Sequence, residues 1–555
     1  MKEKILKNRK LIDILIIILA GIILCIPLLS SNINVYRDDG IQHIARAFGT
    51  MQSIKEDGLL KNVISSFSNN FGYSWNFFYG PFSTFGIIIC KLLLSSYING
   101  YKLFVFICLI VSGIAMYKFV RKLTNNRNTA LLASILYIAF PYHITDLYLR
   151  NALGEFVSFV FIPFVFLGLY NLFYTEDNCY HLAIGAIGLI ITHNISTLLV
   201  AIFSLFYVIF NLEKLKESKI KKSLLINIAF ILLVTCFFWL PMLEAKISAS
   251  YQVYESSAMA SSEVTSSYGL KLKQLFVSVN DGSFIFELGP HIIIMLAFSV
   301  MAFRKIKDQL KENYIIFLFS GIISLWMTTK YFPWKFLPDY MCIIQFPWRM
   351  LMLAGFFFSI VCAINISVVL KKFTWKDVAI IGTVSTLYTL MIFLSFIPKE
   401  DNIQDIGNYE LGKFSGKQAE IVAGTAGGEY LPTLAHENRF YIASRADNIY
   451  VLSGKAIIEN EKKEGSNLKA NLTTFDSEYT VFELPYIYYP GYVVRLDGMI
   501  AQTFETENGF LGIVMGKEDT AELSVSYKGT KLMQITAIIS SISFIAFALY
   551  IWKKH

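Results

Sequence analysis

Long apolar runs separated by short polar segments fill most of the first 400 residues, and no other feature restricts the fold as strongly. The chain has 555 residues, of which 55% are hydrophobic and only 16% are charged, and its mean hydropathy is +0.52. Soluble domains carry about 25% charged residues, and a helix needs about 20 apolar residues to cross a bilayer core. The sequence therefore predicts a polytopic α-helical membrane protein.

Twelve apolar segments are candidate membrane spans. They lie at about 11–30, 101–120, 129–142, 155–174, 181–193, 196–212, 223–243, 290–304, 313–329, 349–370, 377–397 and 532–552. The first of them lacks a clear small-residue cleavage site, so we interpret it as an uncleaved span rather than a signal peptide. Two others, 129–142 and 181–193, are short for a full crossing.

Basic residues determine the predicted orientation, because Lys and Arg near span ends accumulate on the cytoplasmic side. Six basic clusters must then share one side, at 2–10, 121–127, 213–222, 304–311, 371–376 and 553–555. Twelve crossings satisfy this condition if segment 82–97, which carries Lys91 at its centre, lies at the interface or re-enters without crossing. We therefore expect a multi-pass protein of the cell membrane with both termini in the cytoplasm.

Three regions follow from this topology. Residues 1–397 form a transmembrane domain with a large external loop at 31–100, residues 398–531 lie outside, and residues 532–555 form the last span and a cytoplasmic tail. Region 398–531 alternates between apolar and polar residues, as in "YTVFELPYIYY" and "ELSVSY", which predicts a small antiparallel β-sandwich. Its lack of cysteines argues against a disulfide framework or a structural zinc site there.

The external stretch "NINVYRDDGIQHIARAF" places charged residues directly after the first span. On a helix, Asp39, His43 and Arg46 are spaced i, i+4 and i+7 and share one face. One interpretation is an amphipathic loop helix whose charges face water. The other is a carboxylate site at the membrane surface, where Asp39 or Asp38 accepts a proton from a hydroxyl or holds a metal ion.

These motifs resemble the GT-C superfamily of integral membrane glycosyltransferases, in particular its bacterial branch of "6-pyruvoyl-tetrahydropterin synthase related" membrane proteins, with the YfhO-like proteins nearby. "DDGIQHIARAF" is similar to that branch's Asp-x-x-x-His-x-x-Arg pattern, and "FFYGPFSTF" to its Tyr-x-Pro helix opening. "PYHITDLYLRNALGEF", "ITHN", "QFPWRML" and "LPYIYYPGYVVRLDG" resemble further blocks of the same proteins. Many superfamily members pair Asp with Glu, whereas this chain has Asp38 and Asp39, which leaves open which of the two is the base.

The resemblance implies a GT-C-like fold and an inverting glycosyltransferase with its active site on the extracytoplasmic side. The sugar would come from a polyprenyl-phosphate carrier within the bilayer and pass to a glycan or protein acceptor of the cell envelope. Arg150 and Arg349 are candidates for holding the departing phosphate, because a guanidinium group offers it a bidentate fork. Anchoring at the membrane interface is the alternative role for both arginines.

Two further external carboxylates flank Arg150. Glu155 begins a long apolar run, where an unpaired charge would be costly, so we expect it to pair with Arg150 or Arg46 or to act in catalysis. Asp146 is either a second catalytic carboxylate or, with Asp39, a ligand of a divalent metal. No cofactor is certain.

The remaining candidate substrate-binding residues are polar or aromatic groups of the external segments. They are His43, Arg46, Tyr79, Tyr148, His193, Asn194, Lys330, Gln345 and Trp348. The "THN" segment either contacts the ligand or satisfies a helix break. The aromatic residues either stack on sugar rings or belong to the interfacial belt. The chain has no nucleotide-binding signature, and no nucleic-acid partner is expected.

Two other functions compete with sugar transfer. A lipid-linked glycan transporter would carry polar residues through the middle of several spans, and the polar set here is confined to one side. A catalytically silent relative that binds glycan through region 398–531 would keep the same fold.

Overall fold

A bundle of apolar helices accounts for the chain up to residue 394 in the computed structural model, which describes residues 2–58, 61–255, 261–278, 284–401, 403, 405–406, 428–475 and 478–554. Its helices are α1 (Lys2–Cys25), α2 (Gly40–Asp57), α3 (Trp75–Phe78), α4 (Phe82–Leu94), α5 (Tyr97–Thr124), α6 (Arg127–Ile138), α7 (Pro141–Tyr148), α8 (Leu153–Tyr170), α9 (His181–Ile190), α10 (Asn194–Ile209), α11 (Ser218–Ser248), α12 (Gln252–Glu255), α13 (Ser262–Ser267), α14 (Pro290–Ala297), α15 (Ser299–Lys305), α16 (Asp308–Met327), α17 (Leu351–Val369) and α18 (Trp375–Leu394).

Nine helical segments of the described residues are long and apolar enough to cross a bilayer. They are Arg9–Leu29, Tyr97–Thr124, Arg127–Tyr148, Leu153–Thr175, Ser218–Ser248, Leu310–Met327, Pro347–Val369, Trp375–Leu394 and Lys531–Lys554. The polytopic helical class is confirmed, whereas the count of twelve is not. The three predicted spans outside this set correspond to α9, with 10 residues, α10, with 16, and the interrupted pair α14 and α15.

The helix after Pro81 is also too short for this set. Helix α4 has 13 residues and ends at Leu94, and the next residue, Ser95, adopts a left-handed conformation with φ 58°. The chain then enters α5 two residues later, and the Ser96 hydroxyl caps α5 by accepting from Asn99 N–H. This geometry is compatible with the prediction that segment 82–97 does not cross, and the orientation of the termini stays a prediction.

The centre of the bundle is formed by α5, α6, α8 and α17, which are apolar around their full circumference. Almost every residue of α6, α8 and α17 is buried, so these helices show little amphipathic periodicity. Aromatic rings fill the contacts, and Phe166 packs on Phe356 at 5.0 Å between centroids. Helices α1 and α11, by contrast, leave large apolar side chains exposed along one side.

The C-terminal region contains two antiparallel sheets, as the alternating pattern predicts. The strands are β1 (Tyr450–Ser453), β2 (Lys455–Glu464), β3 (Asn467–Phe475), β4 (Tyr479–Ile487), β5 (Tyr492–Leu496), β6 (Met499–Ile500), β7 (Phe504–Glu505), β8 (Phe510–Gly516) and β9 (Thr520–Tyr527). One sheet has the order β1-β4-β8-β7 and the other β2-β3-β9-β5-β6. Side chains from both sheets meet in one core, including Phe482, Ile513 and Leu523. The short helices α19 (Thr433–Glu437) and α20 (Arg439–Ser444) precede the strands, and α21 (Lys531–Lys554) follows them.

This β-domain rests on the long loop between α1 and α5. Asp57, at the end of α2, accepts hydrogen bonds from the backbone N–H and the hydroxyl of Ser466 in the β2–β3 hairpin. Lys61 donates to the carbonyl of Tyr527 at 2.8 Å. The loop that carries the acidic motif is therefore held between the helical bundle and the β-domain.

Candidate active site

A buried cluster of opposite charges forms where α7 ends and α8 begins. Arg150, in the turn between these helices, donates to Asp146 Oδ1 at 2.7 Å and to both oxygens of Glu155, at 2.9 and 3.1 Å. Tyr142 donates to Glu155 Oε2 at 2.7 Å. The turn is tight because Asn151 adopts a left-handed conformation, with φ 48°. We call Asp146, Arg150, Glu155 and Arg349 the ion-pair cluster.

Arg349 reaches this cluster from a distant part of the chain. It lies on the 3-10 helix Pro347–Met350, which opens α17, and its Nε donates to Glu155 Oε1 at 2.6 Å. Its Nη1 donates to the carbonyl of Ile344 and to Gln345 Oε1, both at 2.9 Å. Gln345 has φ 63° and ψ −56°, the strained geometry of a γ-turn. Within the described part of the chain, Arg349 Nη2 has no acceptor of its own.

The ion-pair cluster combines two positive and two negative groups, so its own charge balances. Buried charges persist only when they are paired and hydrogen-bonded. The prediction that Glu155 pairs with Arg150 or Arg46 is thus borne out for Arg150, and the second partner is Arg349 rather than Arg46. Asp146 Oδ2 is buried without a hydrogen-bond partner in the described residues.

Asp39 lies against this cluster at the start of α2. Its backbone N–H donates to the carbonyl of Arg150 at 3.2 Å, and its side chain is half-buried. Burial raises the pKa of the Asp39 carboxyl above its ordinary value, and the nearby positive charges of Arg150 and Arg349 only partly oppose this effect. A carboxylate made more basic in this way is suited to accept a proton. The adjacent Asp38 is exposed and adopts φ 46°.

The next two residues of the acidic motif are buried, which rules out the water-facing helix. His43 packs edge-on against Tyr79, with ring centroids 5.5 Å apart. Burial, with smaller contributions from Arg46 and His193, lowers the pKa of His43 to about 3, so its imidazole is neutral at physiological pH. Arg46 donates to the carbonyls of Tyr79 and Gly80 and to Asn76 Oδ1, at 2.5, 3.1 and 3.0 Å. Arg46 therefore fixes the backbone of Tyr79 and Gly80 in the loop that leads into α4, which we call the Tyr79 loop.

The "THN" segment lies beside the same loop. His193 caps α10, because its Nδ1 accepts from Ser196 N–H, and its ring lies 6.0 Å from that of Tyr79. Asn194 Nδ2 donates to the carbonyl of Phe78 at 2.9 Å. A Cβ atom on Gly154, next to Glu155, would lie 2.4 Å from Tyr79 Oη and 2.8 Å from His193. Tyr79 and His193 are thus adjacent to the ion-pair cluster, and His193 also serves the helix break.

Three of the predicted substrate-binding residues form their observed contacts with residues outside the ion-pair cluster. Tyr148 is buried and donates to the carbonyl of Leu24, so it joins α7 to α1. Lys330 is exposed, its backbone N–H bonds Leu270 O, and its ammonium lies 5.3 Å from the ring of Tyr331. Trp348 stacks on Phe346, with an interplanar angle of 4°. In the described residues, none of these three side chains forms a hydrogen bond or an ion pair with the ion-pair cluster.

Sequence reasoning missed Glu429, a carboxylate in the "GEYLP" segment before the β-domain. Tyr430 stacks on Phe78, with centroids 5.3 Å apart and an interplanar angle of 16°, which brings Glu429 to the Tyr79 loop. Burial raises the pKa of Glu429, and the negative charge of Asp39 adds to the effect. Glu429 carries no motif of its own, so only the folded chain brings it to Asp39.

The donor set does not fit the predicted divalent metal. No group of three or more His, Cys, Asp or Glu side chains in the described residues is arranged to hold a metal ion. Asp146 and Glu155 bind arginines, whose positive charge opposes a further cation.

An apolar groove of about 530 Å³ begins at Pro81, where the Tyr79 loop ends and α4 begins. It is lined by Pro81, Phe82, Phe85, Gly86, Ile89, Cys90, Phe104, Ile191 and Phe237. Ile89 and its neighbours Leu92 and Leu93 on α4 are exposed apolar side chains, so the groove opens on a lipid-compatible surface. Gly80, directly before the groove, packs so closely that a Cβ there would lie 2.2 Å from Ile191 O.

Three comparisons with known proteins gave matches, and the family match supports the motif resemblance. The 6-pyruvoyl-tetrahydropterin synthase related domain, a membrane protein family, matches residues 77–404. An uncharacterized protein of Lactococcus lactis subsp. cremoris (strain MG1363) is 25% identical over 343 residues, which cover 58% of this chain and 54% of that protein. The crystal structure of the Archaeoglobus fulgidus oligosaccharyltransferase complex with Zn and sulfate aligns with a TM-score of 0.30 and 14% identity, over 78% of this chain and 56% of that chain.

The chain therefore spans little more than half the length of these two relatives. The family match, in contrast, covers more than half of this chain and includes Tyr79, the ion-pair cluster and His193. The motif resemblance is confirmed at this level: the chain belongs to the family of 6-pyruvoyl-tetrahydropterin synthase related membrane proteins.

Proposed function

We propose that this protein is an inverting glycosyltransferase that moves a sugar from a polyprenyl phosphate to an extracytoplasmic acceptor of the cell envelope. The observation that carries the proposal is the position of Asp39, a basic, half-buried carboxylate beside two buried arginines. A proton acceptor and a cationic site for an anionic leaving group are the two parts that displacement at an anomeric carbon requires.

Arg349 is the better placed of the two arginines for the phosphate. Arg150 donates to Tyr142, Asp146 and Glu155, whereas Arg349 keeps its Nη2 donor for a further acceptor. Glu155 holds both guanidinium groups in fixed positions, and such preorganised donors stabilise developing negative charge without reorganisation. Gln345 orients Arg349 from the other side.

The reaction balances without a further reactant. The hydroxyl oxygen of the acceptor forms a bond to C1 of the sugar, and its proton moves to Asp39. The bond between C1 and the phosphate oxygen breaks, and its electron pair leaves with the polyprenyl phosphate, whose charge Arg349 stabilises. Attack opposite to the leaving group inverts C1. His43, neutral at physiological pH, and Tyr79 would offer hydrogen bonds to the sugar between these groups.

The apolar groove supports a lipid-linked donor. Its walls are almost entirely apolar, and it begins at Pro81, two residues after Tyr79. An isoprenoid chain in this groove would bury its methyl and methylene groups while its phosphate would lie at the end of the groove that adjoins Tyr79 and Gly80. Burial contributes about 0.8 kcal/mol per CH₂ group, but only relative to water, so the groove serves chiefly to position the chain.

The experiment compares cell-envelope glycans in cells that lack the protein and in cells that carry wild type, Asp39→Asn, Asp38→Asn or Asp177→Asn. Asp177 is an exposed carboxylate beyond the far end of α8 and is the matched control. We expect one glycan component to disappear without the protein, to return with wild type and Asp177→Asn, and to stay at least 100-fold reduced with Asp39→Asn, the lower bound for loss of a general base. Loss of function in Asp38→Asn instead would move the base to Asp38, and an unchanged glycan profile in cells without the protein would refute sugar transfer.

A further inference from the structure

The segment 428–433, which leads into the β-domain, is built into the wall of the site. Val253 N–H donates to Glu429 O at 2.7 Å, Gln252 N–H donates to Leu431 O at 3.0 Å, and Thr433 N–H donates to Ser250 O at 3.0 Å. Tyr251 and Pro432 form an antiparallel bridge. The backbone of segment 428–433 thus pairs with residues 250–253, directly after α11.

A second set of contacts joins the same segment to the Tyr79 loop. The Ser74 hydroxyl donates to Tyr430 O at 2.6 Å, and Tyr430 N–H donates to Tyr73 Oη at 3.2 Å. With Tyr430 stacked on Phe78, the backbone on both sides of the Glu429 side chain is fixed. These contacts fix the backbone of Glu429 beside the loop that contains Tyr79.

The electrostatic setting of Glu429 differs from that of the other buried carboxylates. Asp146 and Glu155 are neutralised by arginines. Glu429 accepts from its own backbone N–H, and in the described residues no cation lowers its pKa, whereas Asp39 raises it. The site therefore combines the two arginines of the ion-pair cluster with two carboxyl groups, Asp39 and Glu429, whose negative charges act on each other.

We infer that Glu429 forms the acceptor-binding side of the site and selects an uncharged or cationic acceptor that presents neighbouring hydroxyl groups. The inference rests on the proposed transfer reaction and adds the substrate class on its acceptor side. Ionised carboxylates only accept hydrogen bonds, so the matching ligand must donate them, and hydroxyl groups do so. An acceptor that carries phosphate or carboxylate would face two negative groups and be repelled. Glu429 acts as a binding residue, and Asp39 keeps the role of base.

The test uses the full chain in lipid nanodiscs with short-chain polyprenyl-phosphate hexoses (glucose, galactose, mannose and N-acetylglucosamine) as donor probes. Two products are measured, prenyl phosphate released to water without acceptor and sugar transferred to neutral methyl hexosides or to hexose 6-phosphates. Variants are Glu429→Gln, which keeps the size of the side chain, Glu429→Asp, which keeps its charge, and Glu437→Gln, an exposed carboxylate of α19, as control.

We expect Glu429→Gln to raise the KM for the neutral acceptor at least tenfold while release to water and the donor KM stay within twofold of wild type. Glu429→Asp should recover part of the loss, Glu437→Gln should match wild type, and the preference for neutral over phosphorylated acceptors should shrink in Glu429→Gln. A parallel fall in release and transfer would place Glu429 on the donor side and overturn the inference, as would an unchanged acceptor KM. If wild type and Asp39→Asn release equally little prenyl phosphate from every donor, sugar transfer itself fails, which is a separate result.

Discussion

Glu155 is the residue on which the buried charges depend, and its replacement by glutamine gives the sharpest test of the ion-pair cluster. Its two oxygens accept four hydrogen bonds of 2.6 to 3.1 Å, from Tyr142, Arg150 and Arg349. A glutamine oxygen in place of Oε1 keeps one bond from each arginine. The amide nitrogen then replaces Oε2 and points a donor at Arg150 Nη1, where an acceptor was.

The magnitude follows from the charge count. Glu155→Gln changes the charge of the ion-pair cluster from zero to +1, and Arg349→Gln changes it from zero to −1. Removing one partner of a buried ion pair costs about 3–5 kcal/mol, because the remaining charge is uncompensated. The double variant restores zero charge, so it should be more stable than the sum of the two single changes by about 1.5–3 kcal/mol.

Equilibrium unfolding of the purified chain by SDS in mixed micelles, followed by tryptophan fluorescence, measures the free energies of unfolding. The control is Asp177→Asn, which removes an exposed pair with Lys122 at 3.6 Å and should cost less than about 1 kcal/mol. The reasoning is wrong if the two cluster variants are additive within about 0.5 kcal/mol, because the charges would then be independent. It is also wrong if Glu155→Gln is no more costly than the control.

Three further predictions test Asp39 as the base, the packing of the Tyr79 loop around Gly80, and the membrane topology. Because the pKa of the Asp39 carboxyl is raised, kcat/KM for transfer should fall as the pH is lowered through a value above the ordinary 3.8, and a profile flat down to pH 4 would exclude Asp39 as the base. Gly80→Ala should lower the melting temperature, because its Cβ would lie 2.2 Å from a backbone oxygen, whereas Gly516→Ala, with open space around it, should not. Cysteines at Lys91 and Arg121 should react with impermeant reagents from outside and inside the cell, respectively, and the opposite result for Arg121 would contradict the predicted orientation.

Local sequence predicted the helical class and the β-rich C-terminal region, and it singled out Asp39, Arg150, Glu155 and Arg349, which the fold brings together. Hydrophobicity and alternation are properties of neighbouring residues, so they are visible before folding. The partner of Glu155 was only half predicted, because Arg349 lies 194 positions away and nothing in the local pattern joins the two. The count of twelve spans stays unconfirmed, since α9 and α10 are apolar but shorter than a full crossing requires, and hydropathy does not show where such helices end.

Two predicted substrate-binding residues, Arg46 and Tyr148, form contacts within the protein that the sequence did not indicate. Arg46 was a candidate for the ligand, yet its guanidinium is occupied by the carbonyls of Tyr79 and Gly80. Tyr148 was a candidate for sugar stacking, yet it is buried against α1. Residue type indicates what a side chain can bind, whereas the fold determines which of the possible partners lies within hydrogen-bonding distance.

What the sequence by itself determined is whether each segment suits lipid or water. Long apolar runs suit the lipid bilayer and alternating strands suit water, and the candidate polar residues lie at the junctions between these segments. What only the tertiary structure decided is which charges meet. Glu429 and Asp39 are almost 400 positions apart, and the charge of Asp39 acts on the pKa of Glu429 in a fold where the 428–433 segment pairs with the loop at 250–253. Electrostatic energy depends on distance in space and on burial, and neither quantity is encoded in the spacing of residues along a chain.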